Sequence, residues 1–428
     1  MTDSPQHSAD RVARRVPKPL TQGVVAVLVS VASMLGIPGG LARADGLENP
    51  PAGLEFYTPS DDLVPGTHGS VIWERPLTGA PVLPGARNSL VLYRSVDSQG
   101  RPVAVSGTVA VPEGEAPPDG WPLISWAHGT TGLADDCAPS RDTGPEYSAH
   151  DYTALVRDIQ ARWIAAGYAV VQTDYQGLGT PGPHGYLIGE AEQRAVADIA
   201  LAARRIEPAI GRRWLAMGHS QGGQAAIFAD ARAPQWAPDM ELVGSVALAP
   251  ASHTGVGIQA MALAAGAGVT PLLGSISATT TSFLPLLIRG AQTVADIDPA
   301  RFLAPPALAL LPQADENCIA ELRAPNSWGG LGADQVFAAH GDAFALTRVL
   351  DENDPRHLRF GPPLLVQQGR KDTTVQPLST DAMVAQLRGT GAPVDYRNYP
   401  DADHRSVIEA AFTDSLAWVD ARFGRTSR

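Results

Sequence analysis

From residue 122 onward, short and nearly continuous apolar runs alternate with longer stretches in which apolar positions recur every three or four residues. The runs are Pro122-Leu123-Ile124-Ser125-Trp126, Tyr168-Ala169-Val170-Val171-Gln172, Trp214-Leu215-Ala216-Met217 and Leu242 to Leu248. Between them the spacing predicts helices near Tyr152 to Ala166, Glu190 to Arg205 and directly after Ser220. Strands apolar along their whole length are covered on both faces, so the pattern predicts an α/β fold: a mostly parallel sheet with helices on both sides. Ahead of it, Leu90 to Arg94 and Pro102 to Val111, joined through Asp97-Ser98-Gln99-Gly100, read as an antiparallel hairpin. Residues 45 to about 85 are rich in Pro and Gly without periodicity and read as an arm laid over the body.

The alternation stops at Ser252 and resumes at Pro363 to Gln368 and Val394 to Tyr399, followed by a closing helix from about Ser406 to Phe423. The stretch between, with Ala- and Leu-rich segments such as Gly255 to Ala265 and Leu284 to Val294 broken by prolines, reads as an inserted helical cap. The expected division is 1–44 as an export signal, 45–251 and 359–428 as two parts of one core, and 252–358 as the cap. No internal repeat suggests otherwise.

The chain has 428 residues, 44% hydrophobic and 18% charged, with a formal net charge of −12. The first 44 residues are net basic, so the body is more acidic still, which argues against a nucleic-acid partner. Arg11, Arg14, Arg15 and Lys18 precede an apolar stretch beginning at Val24, and Ala42-Arg43-Ala44 supplies a small-x-small cleavage site. That is the pattern of a signal peptide and implies a secreted protein. In an exported chain the two cysteines, Cys137 and Cys318, read as one disulfide, with two separate buried thiols as the alternative. Closing so long a loop is worth roughly 4–5 kcal/mol on the chain-entropy model. Neither cysteine has neighbours spaced for a metal, and no metal or cofactor is implied.

The candidate chemistry begins at Gly218-His219-Ser220-Gln221-Gly222, placed between an apolar run and a helix. The motif alone arises by chance in about one in four chains of this composition, so its context decides. A serine at a sharp strand-to-helix turn is a nucleophile only with a base and an orienting carboxylate, which in this architecture follow later in the order Ser, Asp, His. Asp372 follows the strand ending at Gln368, and His404 follows the strand ending at Tyr399. Asp401 and Asp403 lie close to His404 in sequence and are the alternative acids, but adjacent residues point in different directions. Oxyanion donors are expected from the backbone N–H of Gln221 and from Thr130 in the loop His128-Gly129-Thr130-Thr131-Gly132, with Thr131 as the alternative. His128 reads as holding that loop, and His219 as packing sideways.

Trp126-Ala127-His128-Gly129-Thr130-Thr131-Gly132 with Cys137-Ala138-Pro139-Ser140, then Thr173-Asp174-Tyr175-Gln176-Gly177-Leu178-Gly179-Thr180, then Gly218 to Gly223, resemble the secretory lipases of lipase-A type. The resemblance spans about residues 85 to 425. It implies an α/β-hydrolase core, a helical cap over an acyl tunnel, and a disulfide tying the oxyanion-loop region to the cap, a placement Cys137 and Cys318 fit. Independently, Ile258, Met261, Leu263, Leu272, Leu273, Phe283, Leu284, Leu286 and Leu287 give the cap an apolar surplus, against the simpler reading of helix packing. The expected function is a secreted serine carboxylic-ester hydrolase, a lipase or esterase acting on small lipophilic or acylglycerol esters, met transiently at a lipid–water interface. An acyltransferase using the same residues and an esterase for short-chain or non-lipid esters are the alternatives. No feature of the chain specifies an oligomeric state.

Overall fold

The computed structural model describes residues 50–266, 278–359 and 361–425. The expected export signal, and Leu272 and Leu273, lie outside the described residues. The strands are β1 (Val71–Pro76), β2 (Ala86–Val96), β3 (Pro102–Pro112), β4 (Trp121–Ala127), β5 (Ala169–Thr173), β6 (Ile210–His219), β7 (Glu241–Leu248), β8 (Leu364–Gly369) and β9 (Val394–Tyr399). They form one sheet in the order β1-β2-β3-β5-β4-β6-β7-β8-β9. β1, β2, β3 and β5 pair antiparallel, and every pairing from β5 to β9 is parallel.

Alternate residues of the central strands feed two separate cores, which is why these strands read as unbroken apolar runs. Leu123, Trp214 and Ala216 face one side, packed by α2 (Gly189–Ile206) and α3 (Gln221–Trp236). Ile124, Trp126, Leu215 and Met217 face the other, packed by α1 (His150–Ala165) and the helix Phe412–Phe423. β4 lies between β5 and β6, so the connections leaving it and β6 diverge. A crevice opens at the carboxyl ends of these strands, where open α/β sheets bind their ligands.

Two expectations are corrected. The arm contains a strand: β1 pairs with β2 and buries Ile72 and Trp73 against Phe56 and Tyr57. Its register shifts between Val71 and Trp73, and that irregularity breaks the two-residue alternation by which a strand is recognised. The closing helix is two helices, Ser406–Ala410 and Phe412–Phe423.

Between β7 and β8 the regular elements among the described residues are helices, beginning with α4 (Thr254–Gly266) and α5 (Ala278–Gln292) and continuing in short helices to Phe344–Glu352, with one isolated bridge between Leu303 and Phe337. Prolines set their length; Pro305 and Pro306 open the six-residue helix Pro305–Leu310, where a missing N–H costs nothing. This insertion has its own core of Leu284, Leu286, Ile288, Trp328 and Leu346, which reaches Leu133 and Tyr186 of the body. Of the residues behind the expected apolar surplus, Leu284, Leu286 and Leu287 are in that core, whereas Leu263 is 64% exposed.

Cys137 and Cys318 form a disulfide with Cα atoms 5.5 Å apart. Beside it Gly132 bridges Cys318, and Ile319 donates its N–H to the Thr131 carbonyl at 2.8 Å. Gly132 has φ +148°, and a Cβ there would stand 2.5 Å from the Cys137 Sγ, so the contact needs glycine. Among the described residues no helix is long and apolar enough to cross a membrane.

Candidate active site

Ser220 stands between β6 and α3 with φ 60° and ψ −117°, a conformation that costs on the order of 1–3 kcal/mol and lifts its side chain off the sheet edge. Backbone bonds hold the turn there: Ser220 N–H donates to Leu248 at 2.9 Å, and its carbonyl accepts from Ala251 at 3.1 Å. A Cβ on Gly222 would lie 1.9 Å from the Ala127 carbonyl oxygen. Glycine at that position is what lets the start of α3 press against the end of β4, bringing the serine beside the 128–132 loop.

His404 Nε2 lies 3.0 Å from Ser220 Oγ, and its Nδ1 lies 2.7 Å from Asp372 Oδ2. Asp372 is 3% exposed, and its oxygens accept from Thr374 N–H at 2.8 Å, Val375 N–H at 2.9 Å and the Gln368 amide at 3.1 Å. A carboxylate with so many donors is held in one orientation against the imidazole. With Nδ1 donating to Asp372, Nε2 of a neutral His404 is left to accept the serine proton. The alternative acids are engaged elsewhere: Asp401 pairs with Lys371 at 2.8 Å, and Asp403 binds the backbone and hydroxyl of Ser406.

The loop after β4 is tied down on every side. Gly129 donates its N–H to the Tyr152 hydroxyl at 2.6 Å, Thr130 Oγ1 meets the Tyr186 hydroxyl at 2.7 Å, and Tyr175 donates to the His128 carbonyl at 2.8 Å. The Thr130 N–H makes no hydrogen bond among the described residues. Gln221 opens α3, so its N–H has no partner within the helix, and the helix dipole adds positive potential there. His128 donates Nδ1–H to the Gly129 carbonyl at 2.7 Å, and burial pushes its pKa down to about 4, which leaves it neutral as a brace.

Below the loop, the Gln221 carboxamide donates to Glu192 Oε1 at 2.8 Å and to His184 Nε2 at 3.1 Å. Burial drives His184 down to about 4 and raises Glu192 to about 8, so both are neutral near pH 7. Asp174 accepts from Ser106 Oγ at 2.7 Å and from Ser140 N–H at 2.9 Å, fastening the segment after Cys137 to the end of β5.

Ser220, Asp372 and His404 are therefore together; Gln221 follows the serine, and Gly129, the neighbour of Thr130, lies against the carbonyl of His219, a Cβ there standing 3.1 Å from it. Tyr152, Tyr186, His184 and Glu192 were missed as site residues, because nothing in their local pattern separates them from helix or loop residues. His219 corrects the sequence reading: it does not merely pack but bonds through both ring nitrogens, to the His404 carbonyl at 2.7 Å and to the Tyr152 hydroxyl at 3.0 Å.

A cavity of about 240 Å³ stands over Ser220, lined on its apolar side by Leu187, Ile258, Met261, Phe283, Leu287 and Val375. A larger one of about 500 Å³, between Ala134, Gly182 and Thr293, is of mixed polarity and contains no serine beside a histidine. Among the described residues no group of three His, Cys, Asp or Glu side chains is placed to hold a metal ion.

Comparison with known proteins places this geometry. The secretory lipase family matches residues 156–427. A probable inactive lipase of Mycobacterium tuberculosis is 25% identical over 340 residues, 78% of this chain and 73% of that protein. The trichothecene C-3 esterase of Fusarium sporotrichioides is 24% identical over 428 residues, 93% of this chain and 89% of that protein. Among solved structures, Candida antarctica lipase A superposes with a TM-score of 0.69 at 19% identity, covering 87% of this chain and 86% of that one. The fold is the α/β-hydrolase fold that the resemblance to the secretory lipases implied.

Proposed function

The chain belongs to the secretory lipase family and is a hydrolase acting on esters, and from that premise we propose that it cleaves lipophilic esters through an acyl-enzyme on Ser220. The observation that carries this is the single imidazole of His404 spanning Ser220 Oγ and the buried Asp372, 3.0 Å and 2.7 Å away. Ser220 Oγ attacks the ester carbonyl as its proton passes to His404 Nε2, and Asp372 stabilises the imidazolium. The N–H groups of Thr130 and Gln221 receive the oxyanion, each worth about 3–4 kcal/mol in such sites. The imidazolium then protonates the leaving alcohol, and water repeats the sequence on the acyl-enzyme to release the acid.

Lipophilic substrate follows from the lining of the cavity over Ser220, where Ile258, Met261, Phe283 and Leu287 come from the insertion. We read residues 252–358 as the cap that shapes this pocket, and the protein as exported by its N-terminal segment. The Cys137–Cys318 bridge accords with an oxidising compartment.

Ser220→Ala is expected to abolish p-nitrophenyl ester hydrolysis; retained turnover refutes the nucleophile. One relative is named a probable inactive lipase, so a non-catalytic reading is tested directly. A fluorophosphonate probe is expected to label Ser220, and a folded protein that stays unlabelled overturns the catalytic reading in favour of a lipid carrier.

A further inference from the structure

Three hydrogen bonds, two of them buried and the third partly so, join the oxyanion loop to the backbone of the base. Gly129 N–H donates to the Tyr152 hydroxyl at 2.6 Å, that hydroxyl lies 3.0 Å from His219 Nδ1, and His219 Nε2 lies 2.7 Å from the carbonyl of His404. Tyr152 and His219 are 6% and 1% exposed. The direction of each bond is forced. A carbonyl only accepts, so His219 carries its proton on Nε2. Burial, with His404 and Arg405 beside it, holds the His219 pKa well below the ordinary histidine value, so the ring is neutral and Nδ1 is a lone pair. Tyr152 must then donate to Nδ1, which leaves its oxygen free to accept from Gly129.

We propose that Tyr152 and His219 are positioning residues that set the oxyanion loop and the His404 imidazole at a fixed separation across Ser220. This rests on the assignment of Ser220, His404 and Thr130 above. Neither residue lines the cavity over Ser220 or hydrogen-bonds to a side-chain atom of Ser220, His404 or Asp372. Their effect passes through the backbones of Gly129, next to the Thr130 donor, and of His404 itself. The His219 ring also packs on the His404 ring with centroids 4.6 Å apart, which limits tilt of the base. A misplacement of about 1 Å between reacting groups costs about 100-fold in rate, so a tie between the two halves of the machinery acts on turnover rather than on binding.

The test compares Tyr152→Phe, His219→Leu, the double variant and His219→Gln on one p-nitrophenyl ester. Each of the first two is expected to lower kcat about 10- to 100-fold with KM within about twofold. The double variant is expected to be no worse than the poorer single, because both break one chain. His219→Gln, which keeps an N–H near the position of Nε2, is expected to recover part of the loss of His219→Leu. Additive losses, losses confined to KM, or unchanged kcat overturn the proposal. Should the variants fail to fold, ¹⁵N-histidine spectra of the unaltered protein decide: His219 is expected neutral with its proton on Nε2 from pH 5 to 9, and an Nδ1–H tautomer or an imidazolium overturns the chain. Retained turnover by Ser220→Ala strikes the active-site reading instead, whereas full kcat in Tyr152→Phe, with a parallel sample still reacting with the fluorophosphonate probe, strikes only this proposal.

Discussion

Asp372 and the oxyanion loop, on the two sides of the Ser220 hydroxyl, are supported by different kinds of contact. On the side of the base, Asp372 is held by Gln368, Thr374 and Val375, all within four residues of it. On the oxyanion side the supports come from far along the chain: Tyr152 for Gly129, Tyr186 for Thr130, Ile319 for Thr131 and Glu192 for Gln221. A local support lasts as long as its turn does. A distant one lasts only while the element carrying it stays docked, so changes in packing reach the oxyanion side first.

The contrast is sharpened most by Asp372→Asn. It keeps the shape of the loop but removes the charge that fixes the His404 tautomer, and kcat is expected to fall about 10⁴-fold while Tm changes little. A loss of less than tenfold would mean that another acid orients the base. Next in size is a pH effect on the other side. Glu192 holds its proton to about pH 8 when folded, against an ordinary value of 4.5. Its contribution to stability is therefore complete below about pH 4.5 and is lost as pH rises through 8, at about 1.4 kcal/mol per pH unit in between. Glu192→Gln removes that dependence, so its Tm relative to the unaltered protein is expected to climb steadily from pH 5 to 8. A constant difference would show that Glu192 is ionised throughout. The smallest effect is expected from Tyr186→Phe, which frees the Thr130 hydroxyl but leaves its N–H, and lowers kcat by roughly three- to tenfold. A loss equal to that of Asp372→Asn would erase the distinction between the two sides.

The same contrast decides what could be read in advance. Ser220 follows β6 directly, and Asp372 and His404 stand in the loops after β8 and β9, so the apolar runs that mark those strands mark the three residues too. Gln221 came with the serine, and the 128–132 loop with β4. The supports of the oxyanion side were hidden because pairings such as Thr130 with Tyr186, or His219 with His404 185 residues away, depend on how elements dock. No periodicity records that. His219 illustrates the limit: its place beside the serine was plain, while its two bonding partners belong to α1 and to the loop after β9. β1 was lost for the opposite reason, a local irregularity that obscured a strand which tertiary pairing then secured.

The bridge between Cys137 and Cys318 closes a ring in which the two cysteines are 181 positions apart, and Ser220 lies inside that ring. Cutting a ring once opens it without dividing it. A protease that nicks an exposed connection at any one point between the two cysteines therefore releases no fragment, and the serine, its loop and both ends of the break remain on one covalent body until a second cut is made or the bridge is reduced.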